Sequence, residues 1–137
     1  MQIKLSAEKE AQIRAQFPKF PFPALIGLSI EKLKYGFARF KAAHRHELTQ
    51  GMEFLHGGVI SALCDSAVAF ALATMIEDGE RMLTVEMKIN FIAPADDDIF
   101  AEARIIHKGR KTAVGEVEVR KADNVLIAKS LVTYYLY

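Results

Sequence analysis

The sequence predicts an α+β fold in which one long apolar helix is wrapped by an antiparallel sheet of about five strands. Residues 57–76, GGVISALCDSAVAFALATMI, carry a single formal charge, Asp65, over a length of about five helical turns. Downstream, residues 84–91, 99–108, 112–120 and 125–137 read as strands bounded by turn residues. Short connections make successive strands antiparallel neighbours. The apolar helix is then the one element able to cover their buried face, so the sheet must curl around it.

Ser6 is placed to cap a short helix running through Phe17, with Glu8 and Glu10 complementing the dipole of its first turn. Residues 17–23, FPKFPFP, hold three prolines, which argue against a helix and predict extended chain. Residues 28–43 read as one strand, with Gly36 as a bulge or bend. Residues 44–55 are polar, contain Gly51, and form a loop into the long helix, which Glu77-Asp78-Gly79 ends. In residues 84–91 the alternation puts Val85, Met87, Ile89 and Phe91 on one face and Thr84, Glu86, Lys88 and Asn90 on the other. Residues 94–98 interrupt the strands, Gly109-Arg110 makes a tight turn, and Asp123-Asn124 turns into the last strand. The expected organisation is a lead-in over residues 1–23 and a single domain over residues 24–137.

The chain has 137 residues and a net charge of +1, which gives no reason to expect a nucleic-acid or acidic-membrane partner. Its one cysteine, Cys64, excludes an intramolecular disulfide and fits a reducing compartment. The first residues have scattered charges and no apolar secretion segment. A cytoplasmic location is expected. The apolar run approaches the length of a bilayer span, but Asp65 would then lie near the membrane centre at about 2.5–3.5 kcal/mol. A buried core helix is expected instead.

Asp65 is the first candidate for chemistry. A carboxylate among Val, Ile, Leu, Ala and Phe is costly unless paired or put to use, and it could act as general base or nucleophile. His56-Gly57-Gly58 stands where the loop becomes the helix. Glycines there admit close approach of a ligand, and the first-turn N–H groups, with the dipole behind them, suit a carbonyl oxygen gaining charge. The same glycines would equally permit tight helix–strand packing. Gly57 and Asp65 are eight residues apart, about 12 Å along one helix. A carbonyl carbon must lie within about 3–3.5 Å of its nucleophile and close to the oxyanion donors. If both groups act, they must come from two chains across a two-fold axis. Cys64, about 100° around the helix from Asp65, reads as a small core residue. His44 and His46 have no third ligand at metal-like spacing, so no metal site is expected.

The segments Gln50-Gly51, Leu55-His56-Gly57-Gly58-Val59 and Asp65-Ser66-Ala67, followed by Thr84-Val85-Glu86-Met87 and Phe91-Ile92-Ala93-Pro94-Ala95, resemble the PaaI-like acyl-CoA thioesterases of the hotdog fold. The resemblance implies a helix wrapped by five to six antiparallel strands, and two sheets joined edge to edge in a homodimer. A dimer of dimers, a homotetramer, is the fuller expectation. It further implies that Asp65 activates water or attacks the thioester, and that the partner's Gly57 N–H polarises the carbonyl. His56 would hold the adjoining loop or help that polarisation, and Thr84 would hold the water or the carboxylate. Gln50 falls where many members carry Asn, one methylene shorter. Gly58 and the turn Lys108-Gly109-Arg110-Lys111-Thr112 would meet coenzyme A, the cations suiting its phosphates; the turn reads equally as a solvated hairpin.

The expected function is hydrolysis of an acyl- or aryl-acyl-CoA to the free acid and CoA, with no metal or redox cofactor. A hotdog hydratase or dehydratase is the alternative enzyme, though the His-Phe-Pro signature of that group is absent. A non-catalytic acyl-CoA sensor is the alternative binding protein, and Asp65 weighs against it. Phe17, Phe20 and Phe22 either cover an acyl pocket or pack on the sheet.

Overall fold

In the computed structural model, which describes residues 2–137, the Ser6 hydroxyl accepts the Lys9 N–H at 3.1 Å and opens α1 (Ala7–Gln16). The proline-rich segment that follows is not extended. It forms a 3-10 turn, Phe17–Lys19, and the short helix α2 (Pro21–Leu25). Both begin with Pro in the first turn, where a missing N–H costs nothing and the fixed φ already suits a helix. Phe17 stands edge-on to Phe40 and Phe70, with centroids 5.6 and 5.2 Å away, and so pins this segment to the core.

Residues 28–43 are two strands rather than one. β1 (Leu28–Lys34) and β2 (Phe37–Ala42) pair as a hairpin around Tyr35-Gly36. Gly36 has φ +71°, a left-handed conformation that only glycine adopts without strain, so the chain reverses there instead of bulging. The hairpin tip is tied to the core helix, since the Gly36 N–H donates to Thr74 Oγ1 at 2.8 Å.

The apolar run becomes α3 (Gly57–Ala73), with Leu63, Cys64, Ala67, Ala71 and Leu72 completely buried. Around it lie β3 (Met82–Phe91), β4 (Ile99–Lys108), β5 (Thr112–Lys121) and β6 (Leu126–Leu136). The six strands form one antiparallel sheet in the order β1-β2-β4-β5-β6-β3. Its inner face is floored by small residues, Ala38, Ala101, Ala103, Ala113 and Gly115, which lets the helix sit close. A Cβ added to Gly115 would lie 2.6 Å from Val68 Cγ1.

The expectation that all successive strands are neighbours fails at β3. It pairs with β6 and forms an edge, while β4 lies between β2 and β5. Residues 92–98 are a crossing rather than a tight turn, fastened where the Ile92 and Ala93 N–H groups donate to the Ile127 carbonyl at 2.8 and 3.2 Å. The predicted alternation of β3 also breaks. Thr84 pairs with Tyr134 but Glu86 with Thr133, so Val85 is an extra residue in a bulge. Val85 is thereby left 59% exposed, and Thr84 turns to the helix side. Among the described residues no helix is long and apolar enough to cross a membrane.

Candidate active site

Two clusters flank α3, one at its N-terminus and one two turns along. The loop entering the helix is fixed by its backbone: the Leu55 N–H donates to the Ala95 carbonyl at 2.9 Å and the His56 N–H to that of Leu48 at 2.8 Å. His56 is the N-cap, and its Nδ1 accepts the Gly58 N–H at 2.7 Å. Accepting there assigns the proton of the neutral ring to Nε2. Of the two glycine N–H groups, that of Gly58 is thus taken. That of Gly57 has no acceptor among the described residues, as expected for a first-turn donor.

Gly57 lines a cavity of about 340 Å³ together with Gln50, Phe54, Phe91 and Pro94. The Gln50 side-chain carbonyl accepts the Met52 N–H at 2.7 Å, which leaves the amide NH₂ to donate. A Cβ on Gly57 would stand 3.3 Å from the Phe91 ring. Substitution there presses on the same cavity.

Asp65 is half-buried rather than enclosed, and lines a second cavity of about 340 Å³ with Phe20, Pro23, Phe70, Met82 and Thr84. Its Oδ1 accepts the Thr84 hydroxyl at 2.8 Å and the Tyr134 hydroxyl at 2.5 Å. Oδ2 has no protein donor among the described residues. The Tyr134 hydroxyl also lies 2.9 Å from the Asp65 main-chain carbonyl. Burial first, then the neighbouring Asp65 charge and hydrogen bond, push the Tyr134 phenol well above its ordinary range. It therefore stays protonated, a donor at any working pH.

Sequence reasoning missed Tyr134. Its signal was the inward phase of the last strand, where Ser130 and Tyr134 bring polar oxygens into a series otherwise made by Ala128, Val132 and Leu136. Cys64 is completely buried, and burial with the Asp65 charge behind it raises its thiol to about 12. It is a core residue, too protonated to be a nucleophile.

The cationic turn adjoins the Asp65 cluster. Thr84, Tyr134 and Ala113 share one rung of the sheet, and the turn Lys108-Gly109-Arg110-Lys111-Thr112 begins one residue beyond it. Arg110 and Lys111 are exposed, and neither has an ion-pair partner among the described residues. His44 and His46 both turn to Glu53, His44 Nε2 to its carbonyl at 2.7 Å and His46 Nδ1 to its carboxylate at 3.1 Å. Phe20 lines the Asp65 cavity, whereas Phe22 is 54% exposed.

A family model described as the thioesterase superfamily matches residues 52–128. A Saccharolobus solfataricus protein bearing a provisional esterase name is 35% identical over 115 residues, covering 82% of this chain and 75% of that protein. The medium/long-chain acyl-CoA thioesterase YigI of Salmonella typhimurium is 27% identical, with 98% of both chains covered. Among solved structures, a thioesterase family protein from Silicibacter pomeroyi superposes with TM-score 0.87 at 29% identity, over 93% of this chain and 97% of that one. The Escherichia coli PaaI protein from the phenylacetic acid degradation operon shares the fold, with TM-score 0.87 at 21% identity over 97% and 96% of the two chains.

Proposed function

The chain belongs to the thioesterase superfamily and is a thioester hydrolase on the PaaI-like hotdog fold, and from that premise we propose that it hydrolyses an acyl- or aryl-acyl-CoA in a site shared by two subunits. The observation that carries this reading is the free Asp65 Oδ2 beside an apolar cavity, with Oδ1 held by Thr84. The acyl group lies against Phe20, Phe70 and Met82. The free carboxylate oxygen takes a proton from water as its oxygen attacks the thioester carbonyl, or attacks that carbon itself. The oxyanion so formed is stabilised by the unpaired Gly57 N–H of the partner subunit. Collapse expels CoA as a thiolate, which takes up the proton held by Asp65 or one from solvent. Where Asp65 itself attacks, the acyl group stays on it as a mixed anhydride, which water then hydrolyses to the free acid with return of the carboxylate. Water is the only second reactant.

The position of β3 supports shared sites. Asp65 and Gly57 stand about 12 Å apart along α3, and they open into different cavities. The Asp65 cavity includes Leu83 and Thr84 at the start of β3, and the Gly57 cavity includes Phe91 at its end. Antiparallel pairing of this free edge with that of a second copy brings the start of one β3 against the end of the other. Each Asp65 cavity then meets the partner's Gly57 cavity. Leu83 and Val85, 58% and 59% exposed, suit such a seam. The turn at residues 108–112 extends from the same end, where Arg110 and Lys111 take the nucleotide phosphates.

The test is turnover of short, medium, long and aromatic acyl-CoAs by the wild type and by Asp65→Asn. The amide keeps the shape but accepts no proton, so kcat falls about 10²–10⁴-fold with the melting temperature retained. Near wild-type kcat in the folded variant removes Asp65 from the chemistry.

A further inference from the structure

Two donors meet Oδ1 of Asp65 from different parts of the sheet. Thr84 belongs to β3, an edge strand, and sits beside its bulge. Tyr134 belongs to β6, paired on both sides by β5 and β3, and is only 4% exposed. Its hydroxyl spans the helix and the sheet, reaching both Oδ1 and the main-chain carbonyl of Asp65. One hydroxyl has one proton, and the nearer, charged Oδ1 takes it. A carboxylate can rotate about its terminal torsion and exchange its oxygens. With two donors on one oxygen, that rotation breaks two hydrogen bonds.

We propose that Tyr134 is a positioning residue of the hydrolytic site: its hydroxyl locks the Asp65 carboxylate so that Oδ2 alone is presented to the reacting group. This rests on the reading of Asp65 as base or nucleophile. Tyr134 itself transfers no proton in the reaction, consistent with a phenol held protonated by burial and by the adjacent carboxylate. Thr84 alone ties the carboxylate to β3, whereas Tyr134 ties it to β6 as well.

Tyr134→Phe removes one oxygen and keeps the ring that fills the core. In the native protein, with activity referred to the folded fraction measured by near-UV circular dichroism, kcat falls about 10- to 100-fold, the loss of one hydrogen bond to a charged group. KM for acyl-CoA changes little, because Tyr134 is only 4% exposed in the cavity wall and phenylalanine keeps the ring that forms it. In the Asp65→Asn background the same change leaves the residual turnover unaltered, since there is no base left to orient. An equal fractional loss in both backgrounds, a rise in KM in place of the fall in kcat, or full activity of Tyr134→Phe overturns the proposal. Full activity of Asp65→Asn alone fails the parent reading instead, and the single-variant comparison separates the two.

Discussion

Val68 and Gly115 set how closely helix and sheet approach. A methyl group at residue 115 would overlap the Val68 side chain at 2.6 Å, with both residues deep in the core. Gly115→Ala should therefore lower stability by about 1–3 kcal/mol through overpacking, although alanine suits a strand better than glycine does. Urea unfolding measures it, and an unchanged or raised midpoint would show that α3 can move aside. At this scale the sequence was informative where chemistry broke a pattern. Asp65 stands out as the one charge in an apolar run, and His56-Gly57-Gly58 as a motif at a helix start. Tyr134 was hidden because an aromatic at an inward strand position looks like ordinary core. Only the register with Thr84 reveals that its hydroxyl meets Asp65.

Among the elements, the β4–β5 turn has the separable role proposed above. Arg110→Ala with Lys111→Ala should raise KM for acyl-CoA about tenfold or more with little change in kcat, because these side chains would grip a remote part of the substrate in ground and transition states alike. An acyl-pantetheine lacking the nucleotide should show no such rise. Equal effects on both substrates would remove the turn from phosphate binding. The long helix, the Ser6 cap of α1 and the period-two strands were legible because one local rule decides each. The failures all come from non-local or positional context. Prolines that read as extended chain are tolerated in the first turn of α2. Gly36 reverses the chain because Thr74 of the helix receives its N–H. The bulge at Val85 inverts the phase of Thr84, and no simple alternation count contains an extra residue.

For the whole molecule the proposed shared site means that neither copy alone would hold a complete site. Gly57→Leu presses on the Gly57 cavity through Phe91, and Asp65→Asn silences the other half. Each variant alone should be inactive. Refolded together in equal amounts, they form mixed dimers in which one site carries both lesions and the other none, and about a quarter of wild-type activity returns. Native mass spectrometry confirms the mixed species, and their inactivity would place the whole site within one chain. The helical distance already motivates the two-chain proposal, but the sheet order was not legible, because β3 bypasses its sequence neighbour to pair with β6. That detour has a consequence for biosynthesis. β3 leaves the ribosome before β4, β5 and β6, and the strand it pairs with among the described residues, β6, comes after both of the others. Until then it has no strand to pair with, and Met82, Met87 and Ile89 lack part of the core they pack against in the folded chain. A nascent chain, or one cut short before β6, has neither the seat for β3 nor the phenol beside Asp65, so on the proposed reading hydrolysis waits for β6.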